Sequence, residues 1–390
     1  MNPVRRVSLF FATYFAYVGL FSPYLSLWLN GRGFSPSEIG VLLSPMQWAR
    51  VVGPPAWGAL ADHVAAPRVP RIIQLAALAA LLSAGLLLLD WSFWGLFAVL
   101  CLISFFLSGQ VPIAESLAMQ ASRGDMGLYG RMRVWGSSGF ILAVVLGGLW
   151  LDAMGTHVLP ASLMLVLALV AISALWLPER EVHDLAPRSG ALRETLSEKR
   201  VRLFLLASFL MVLAHAPLYT LFSLWLEHQG YSRTEIGLLW MLGVLAEIVF
   251  FRIQRPLFER WGLSFTWRLS FLVAALRFGL VALSGGSLAI ILLTQLMHAA
   301  TFGAHHSASM ALVREWFPAQ AQARGQALYT MASYGLGGSL GGMAVGWVYE
   351  AISPEAAFMS ASVAAGLGWW VASRASRLGA PGAREAGLAA

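Results

Sequence analysis

A chain of 390 residues with 58% hydrophobic and 12% charged residues is too apolar for a soluble domain, where about a quarter of residues carry charge; it reads as a membrane protein. Its 26 basic residues outnumber 19 acidic ones, but the arginines fall in short loops between apolar runs, where they signal topology rather than nucleic-acid binding. The single cysteine, Cys101, excludes an intrachain disulfide and a cysteine metal cluster, and no metal or cofactor is expected.

In chain order, twelve apolar runs are long enough to cross the hydrocarbon, which takes about 20 residues each. They are predicted near 7–29, 38–61, 72–89, 93–119, 131–151 and 158–177, then 203–226, 236–258, 266–284, 287–313, 326–349 and 355–373. Long unbroken runs without alternation mean helices, because lipid cannot satisfy an exposed backbone. The first run follows Arg5 and Arg6 but is too long for a signal-peptide core and lacks a cleavage site, so it is a retained helix. The polar segment 178–202 is the linker between an N-terminal six-helix bundle, 1–177, and a C-terminal one, 203–374, with a tail at 375–390.

The halves repeat. Ser26-Leu27-Trp28-Leu29 and Gly33-Phe34-Ser35-Pro36-Ser37-Glu38-Ile39-Gly40 recur as Ser223-Leu224-Trp225-Leu226 and Gly230-Tyr231-Ser232-Arg233-Thr234-Glu235-Ile236-Gly237 at a constant offset, 223 − 26 = 237 − 40 = 197. The same offset carries Arg71 to Arg268 and relates Arg50 to Glu247. Arg50 and Glu247 thus occupy equivalent depths on the second and eighth runs, roughly 18 Å along each axis. Basic residues concentrate on one side, with only Arg32 and Arg233 on the other, which predicts cytoplasmic termini.

Charge inside apolar runs costs about 2.5 to 3.5 kcal/mol per residue on insertion scales, so each case is a functional candidate. The set is Arg50, Glu115, Arg133, His215, Glu247, Arg277, His298, His305 and His306. Glu115 and Arg133 lie 18 apart across a loop that can bring them together as an ion pair. His298, Phe302 and His305, at i, i+4 and i+7, are predicted to share a face. Imidazole can relay protons or serve as a helix-helix hydrogen-bond donor. Tyr14, Tyr17, Phe21 and Tyr24 form a stripe on the first run that can line a cavity or pack as core. Arg277 has no evident partner or role.

Two motifs carry a resemblance. Gly58-Ala59-Leu60-Ala61-Asp62-His63 with downstream Arg68 and Arg71 resembles a degenerate copy of the loop motif of the major facilitator superfamily, and Glu259 stands at the repeat position of Asp62 (62 + 197). Tyr129-Gly130-Arg131-Met132-Arg133-Val134-Trp135-Gly136-Ser137-Ser138-Gly139-Phe140 resembles the fifth helix of lactose permease and, more closely, that of the 3-phenylpropionate transporters. The resemblance implies an all-α integral membrane fold, twelve helices in two six-helix bundles, working as a monomer by alternating access. It implies substrate binding by Arg133, Glu115 and Phe140, to which we add Tyr14, Tyr17 and His215. Proton coupling would fall to Glu247, His298, His305, His306 and Arg50, with Arg133 exchanging between Glu115 and Glu247. Gly58, Asp62, Arg71 and Glu259 would form a conformational latch. The tenth-helix carboxylate that lactose permease uses in coupling is absent here.

The expected function is secondary transport, by proton symport of a small organic solute such as an aromatic carboxylate, in a bacterial-type inner membrane. No ATP-binding Gly-x-x-x-x-Gly-Lys loop occurs. Sugar or nucleoside symport and export are alternatives. A rival from another class is an intramembrane serine protease, since Gly136-Ser137-Ser138-Gly139 fits the rhomboid Gly-x-Ser-Gly pattern; a third is a sensor that binds ligand without moving it.

Overall fold

The computed structural model describes residues 2–179, 191–318 and 321–378. The middle of the predicted linker and most of the tail, with Arg384, lie outside the described residues. All regular structure among the described residues is helical. It runs α1 (Pro3–Gly31), α2 (Pro36–His63), α3 (Val69–Gly85), α4 (Phe93–Ser108), α5 (Gln110–Ala121), α6 (Met126–Met154), α7 (Leu159–Ala174), α8 (Ala191–Ser197), α9 (Lys199–Thr220), α10 (Phe222–His228), α11 (Arg233–Trp261), α12 (Leu263–Leu283), α13 (Leu288–Leu296), α14 (His305–Trp316), α15 (Gln322–Thr330), α16 (Gly338–Ala351) and α17 (Pro354–Leu378). Two π-helical stretches, Ala299–Ala304 and Met331–Gly337, interrupt the tenth and eleventh predicted runs.

Among the described residues, ten helices are long and apolar enough to span a membrane. The second and eleventh predicted runs are helical but fall short of that standard: α2 carries Glu38, Gln47, Arg50 and three internal prolines, and the eleventh is diluted by glycine and serine. Each predicted run thus finds its helix in order.

The internal repeat has a physical content beyond hydropathy. Gly33 and its counterpart Gly230 both adopt left-handed backbone, with φ of 86° and 89°, where glycine meets no Cβ penalty. Ser35 and Glu38 close a capping box at the start of α2. Ser232 and Glu235, 197 residues on, close the same box before α11, with bonds of 2.8 and 3.2 Å. What was duplicated is a turn and a helix start.

By contact grouping the chain forms two units, Met1–Asp184 with Leu218–Met241, and Leu185–Pro217 with Leu242–Ala390. The first unit takes in Leu218–Met241, from beyond the predicted linker. Within it, α1 packs along α6 and α7. The glycines of α6 set that packing: a Cβ on Gly139 would stand 2.0 Å from the carbonyl oxygen of Ala12, and one on Gly136 2.8 Å from the Phe15 ring. We expect Gly139→Ala to force α1 and α6 apart and to destabilise by about 1 to 3 kcal/mol, the range of overpacked cores. Thermal unfolding of the purified protein checks this against Gly130→Ala, where a Cβ meets nothing within 4 Å and no loss is expected.

In the second unit α12 runs along α17, with Ser362 Oγ donating to the carbonyl of Ala275 at 2.7 Å. Gly337 and Gly341 approach α9 closely, at Phe209 and at Leu213 and Ala216. The Gly-rich eleventh run therefore serves close packing, as small residues do between membrane helices.

Candidate functional site

Among the described residues, each unit holds a cluster drawn from the ionisable groups of the apolar runs. In the first, α5 and α6 are joined by a tight turn in which Arg123 and Gly124 have φ of 50° and 82°. Asp125 caps α6 by accepting from the backbone of Gly127 and Leu128 at 2.8 and 3.1 Å. This turn lays the helices side by side, and Arg133 meets Glu115 at 3.1 Å, the side chains 35% and 39% exposed. The predicted pair exists, and both side chains are half-buried.

The aromatic partners of Arg133 come from α1, a signal sequence reasoning missed. Its guanidinium carbon lies 5.2 Å from the ring centres of both Phe11 and Phe15, so one cation faces two π surfaces. Phe11 and Phe15 are spaced i, i+4 on the side of α1 that the α6 glycines admit; that spacing was visible, but nothing in it singled out Arg133. Phe140 meets α1 through its backbone, against Gly19. Of the predicted aromatic stripe, Tyr14 donates to the carbonyl of Leu107 at 3.2 Å and Tyr17 is buried against Phe21, ring centres 5.2 Å apart.

The second unit supplies the partner that Arg277 lacked on paper. Arg277, 1% exposed, places Nη1 at 2.8 Å from His298 Nδ1 and 3.0 Å from Thr301 Oγ1. Glu247 Oε1 lies 2.7 Å from His298 Nε2. His215 sits between the Met211 carbonyl, 2.8 Å from Nδ1, and Thr301, 3.3 Å from Nε2.

The donor inventory orients every proton here. Guanidinium only donates, so His298 Nδ1 accepts and its one proton sits on Nε2, aimed at Glu247. A carbonyl only accepts, so His215 Nδ1 carries hydrogen and Nε2 accepts from Thr301, whose oxygen in turn accepts from Arg277. Two donor chains thus start at Arg277 and end at Glu247 and at the Met211 carbonyl, with both imidazoles neutral. Arg277 and Glu247 flank His298 on its two ring nitrogens. His215, expected to touch substrate, is 2% exposed and belongs to this network.

The tenth run corrects one expectation. His298, Phe302 and His305 do not share a face; the parallel column is His298, Phe302 and His306, with ring centres 5.3 and 6.1 Å apart and planes 14° and 8° off parallel. The π stretch Ala299–Ala304 is the reason: its i→i+5 bonds widen the turn, so the third ring falls eight residues on rather than seven. His305 turns instead to Ser270 of α12, 3.1 Å from Nδ1, and to Ser309 of its own helix, 3.4 Å from Nε2. It is a 3% exposed core histidine.

Of the four latch residues, Glu259 bonds Arg255 on its own helix at 2.8 Å, in the exposed i, i+4 geometry. Asp62 and Arg71 form no ion pair among the described residues.

Duplicated helices around internal charge define a membrane transporter of the major facilitator kind. The chain belongs to the MFS_1 like family, whose family model matches residues 4–360. It is 28% identical over 375 residues to the probable 3-phenylpropionic acid transporter of Escherichia coli (strain K12), covering 93% of this chain and 96% of that one. It is 29% identical over 335 residues to the maltose permease of Geobacillus stearothermophilus, covering 84% and 83%. The solved structure of the nucleoside transporter NupG (D323A mutant) superposes with a TM-score of 0.85 at 16% identity, over 96% of this chain and 100% of that one; it attests the fold. The family consists of transporters, so the chain is not an enzyme. The glycines of the rhomboid-like tetrapeptide pack α6 on α1, and Ser138 Oγ donates to the carbonyl of Val134 at 3.1 Å.

Proposed function

We propose that this protein is a proton-coupled symporter of a small organic anion, an aromatic carboxylate of the 3-phenylpropionate class, working by alternating access as a monomer in a bacterial-type inner membrane. The arginine-rich side and both termini face the cytoplasm, and the bundles 1–177 and 203–374 rock about the linker 178–202. The observation that carries the reading is the buried chain Arg277–His298–Glu247. A carboxylate in apolar surroundings that ends a fixed donor chain can accept a proton on its outer oxygen. Doing so removes the counter-charge of Arg277, so proton binding changes the electrostatics of the whole cluster. Arg133, between Phe11 and Phe15 with Glu115 as a displaceable partner, receives the carboxylate while the rings suit an aromatic body. Arg133 changing partners from Glu115 to Glu247, the role of Arg50, and a cytoplasmic latch at Gly58, Asp62, Arg71 and Glu259 belong to the same proposal. His306, at the end of the ring column, is its next proton carrier.

The test is uptake by purified protein in liposomes. With an inward proton gradient we expect labelled 3-phenylpropionate to accumulate, with alkalinisation outside, and an ionophore to abolish accumulation. Proton-driven accumulation of maltose or a nucleoside in its place would move the substrate to the sugar or nucleoside reading. Flux that ignores the proton gradient would sink the coupling.

A further inference from the structure

At the end of α6 opposite Arg133, the first unit contains a contact that neither the sequence motifs nor the proposed relay uses. Asp152, in the last turn of α6, accepts three hydrogen bonds from the start of α11: the backbone of Arg233 at 2.9 Å, the backbone of Thr234 at 2.8 Å and Thr234 Oγ1 at 2.5 Å. A carboxylate from a different helix thus supplies acceptors for two of the N–H groups that a helix start leaves open, at its positive end. The Arg233 side chain lies 3.9 Å from Asp152 and bonds Glu227 at 2.8 Å.

One turn deeper the same helices touch without side chains between them. A Cβ on Gly148 would come within 2.5 Å of the Arg233 carbonyl oxygen, and one on Gly237 within 2.5 Å of the Val144 carbonyl oxygen. Tyr24 of α1 closes the third side, its hydroxyl 2.5 Å from the Val144 carbonyl and 3.3 Å from that of Arg233. Val144 and Tyr24 are 0% exposed. Backbone contact at Gly148 and Gly237 excludes water but holds weakly by itself, because it is all van der Waals contact. The directional, charged attachment is at Asp152.

We propose that Asp152 is the gating residue of the outer side: its carboxylate, bound to the first turn of α11, holds α6, α1 and α11 closed, and release of that bond opens the chain to the exterior. The proposal rests on the alternating-access reading. It differs from the cytoplasmic latch in place and in residues, and Asp152 touches neither Arg133 nor Glu247 among the described residues. Arg233 and Thr234 repeat Pro36 and Ser37 of the first half, so the donors that Asp152 engages are not a copy of the first-half sequence: Pro36 has no N–H to give.

Accessibility decides it. In the full-length protein with Cys101→Ser, the sole native thiol is gone, and Val144→Cys puts a reporter beneath the gate. Vesicles of either orientation are treated with a membrane-impermeant maleimide. Asp152→Ala is expected to raise labelling from the outer side about tenfold, the scale on which loss of a charged helix cap shifts a two-state equilibrium, and Asp152→Asn by less, since the amide oxygen still accepts. Gly237→Ala, which prises the same surfaces apart with Asp152 intact, is expected to act in the same direction. Should Asp152→Ala fail to fold, the isosteric Asp152→Asn carries the test. Labelling at the parent's rate in the Asp152 variants, or a rise only from the cytoplasmic side, overturns the gate. Uptake is followed in the same vesicles, so a parent protein without proton-driven uptake sinks symport and leaves the labelling result to decide the gate.

Discussion

Glu247→Gln is expected to abolish uphill accumulation while leaving exchange of substrate across the membrane. Glutamine keeps the shape and an oxygen that accepts from His298 Nε2, 2.7 Å from Glu247 Oε1 in the parent, so the Arg277–His298 geometry survives. What disappears is the site that can hold a proton. One proton entering with one carboxylate moves no net charge, so the pH gradient is the drive: each pH unit is worth about 1.4 kcal/mol, a roughly tenfold concentration ratio; the variant should relax to a ratio of about one. Counterflow in preloaded proteoliposomes separates the two behaviours. If Glu247→Gln still concentrates substrate under a proton gradient, the coupling carboxylate is elsewhere.

Arg133→Ala is expected to raise the half-saturating substrate concentration by about 10- to 150-fold, since a charge-assisted bond to an anion is worth about 1.5 to 3 kcal/mol and Glu115 then loses its partner, 3.1 Å away. Arg133→Lys should cost at least tenfold by the loss of the planar fork and its seat between Phe11 and Phe15. The concentration dependence of uptake measures both. An unchanged half-saturation in the two variants would remove Arg133 from the substrate site. A neutral substrate would show as equal tolerance of Lys and Ala.

Most of the architecture could be read in the chain. Hydropathy placed the helices because lipid forbids an unpaired backbone, and the 197-residue repeat survived because the turn needs glycine at Gly33 and Gly230 and a capping box after each. The Glu115–Arg133 pair was also legible, since few charges lie in apolar runs and a short loop leaves them little choice of neighbour. The histidine column was not. A helical wheel assumes one period, and the π stretch Ala299–Ala304 changes it in mid-helix, so His306 replaces His305 beside Phe302.

Residue order, then, settled the helices, the duplication and which side chains must pay to be buried, all local properties of hydropathy and turn chemistry. It did not settle who meets whom. That Arg277 stands behind His298, that Phe11 and Phe15 flank Arg133, and that Asp152 caps α11 were decided by helix packing, because contacts that act over about 3 to 5 Å join residues 21, 118 and 81 positions apart. No periodicity in a single strand of text encodes distances of that kind.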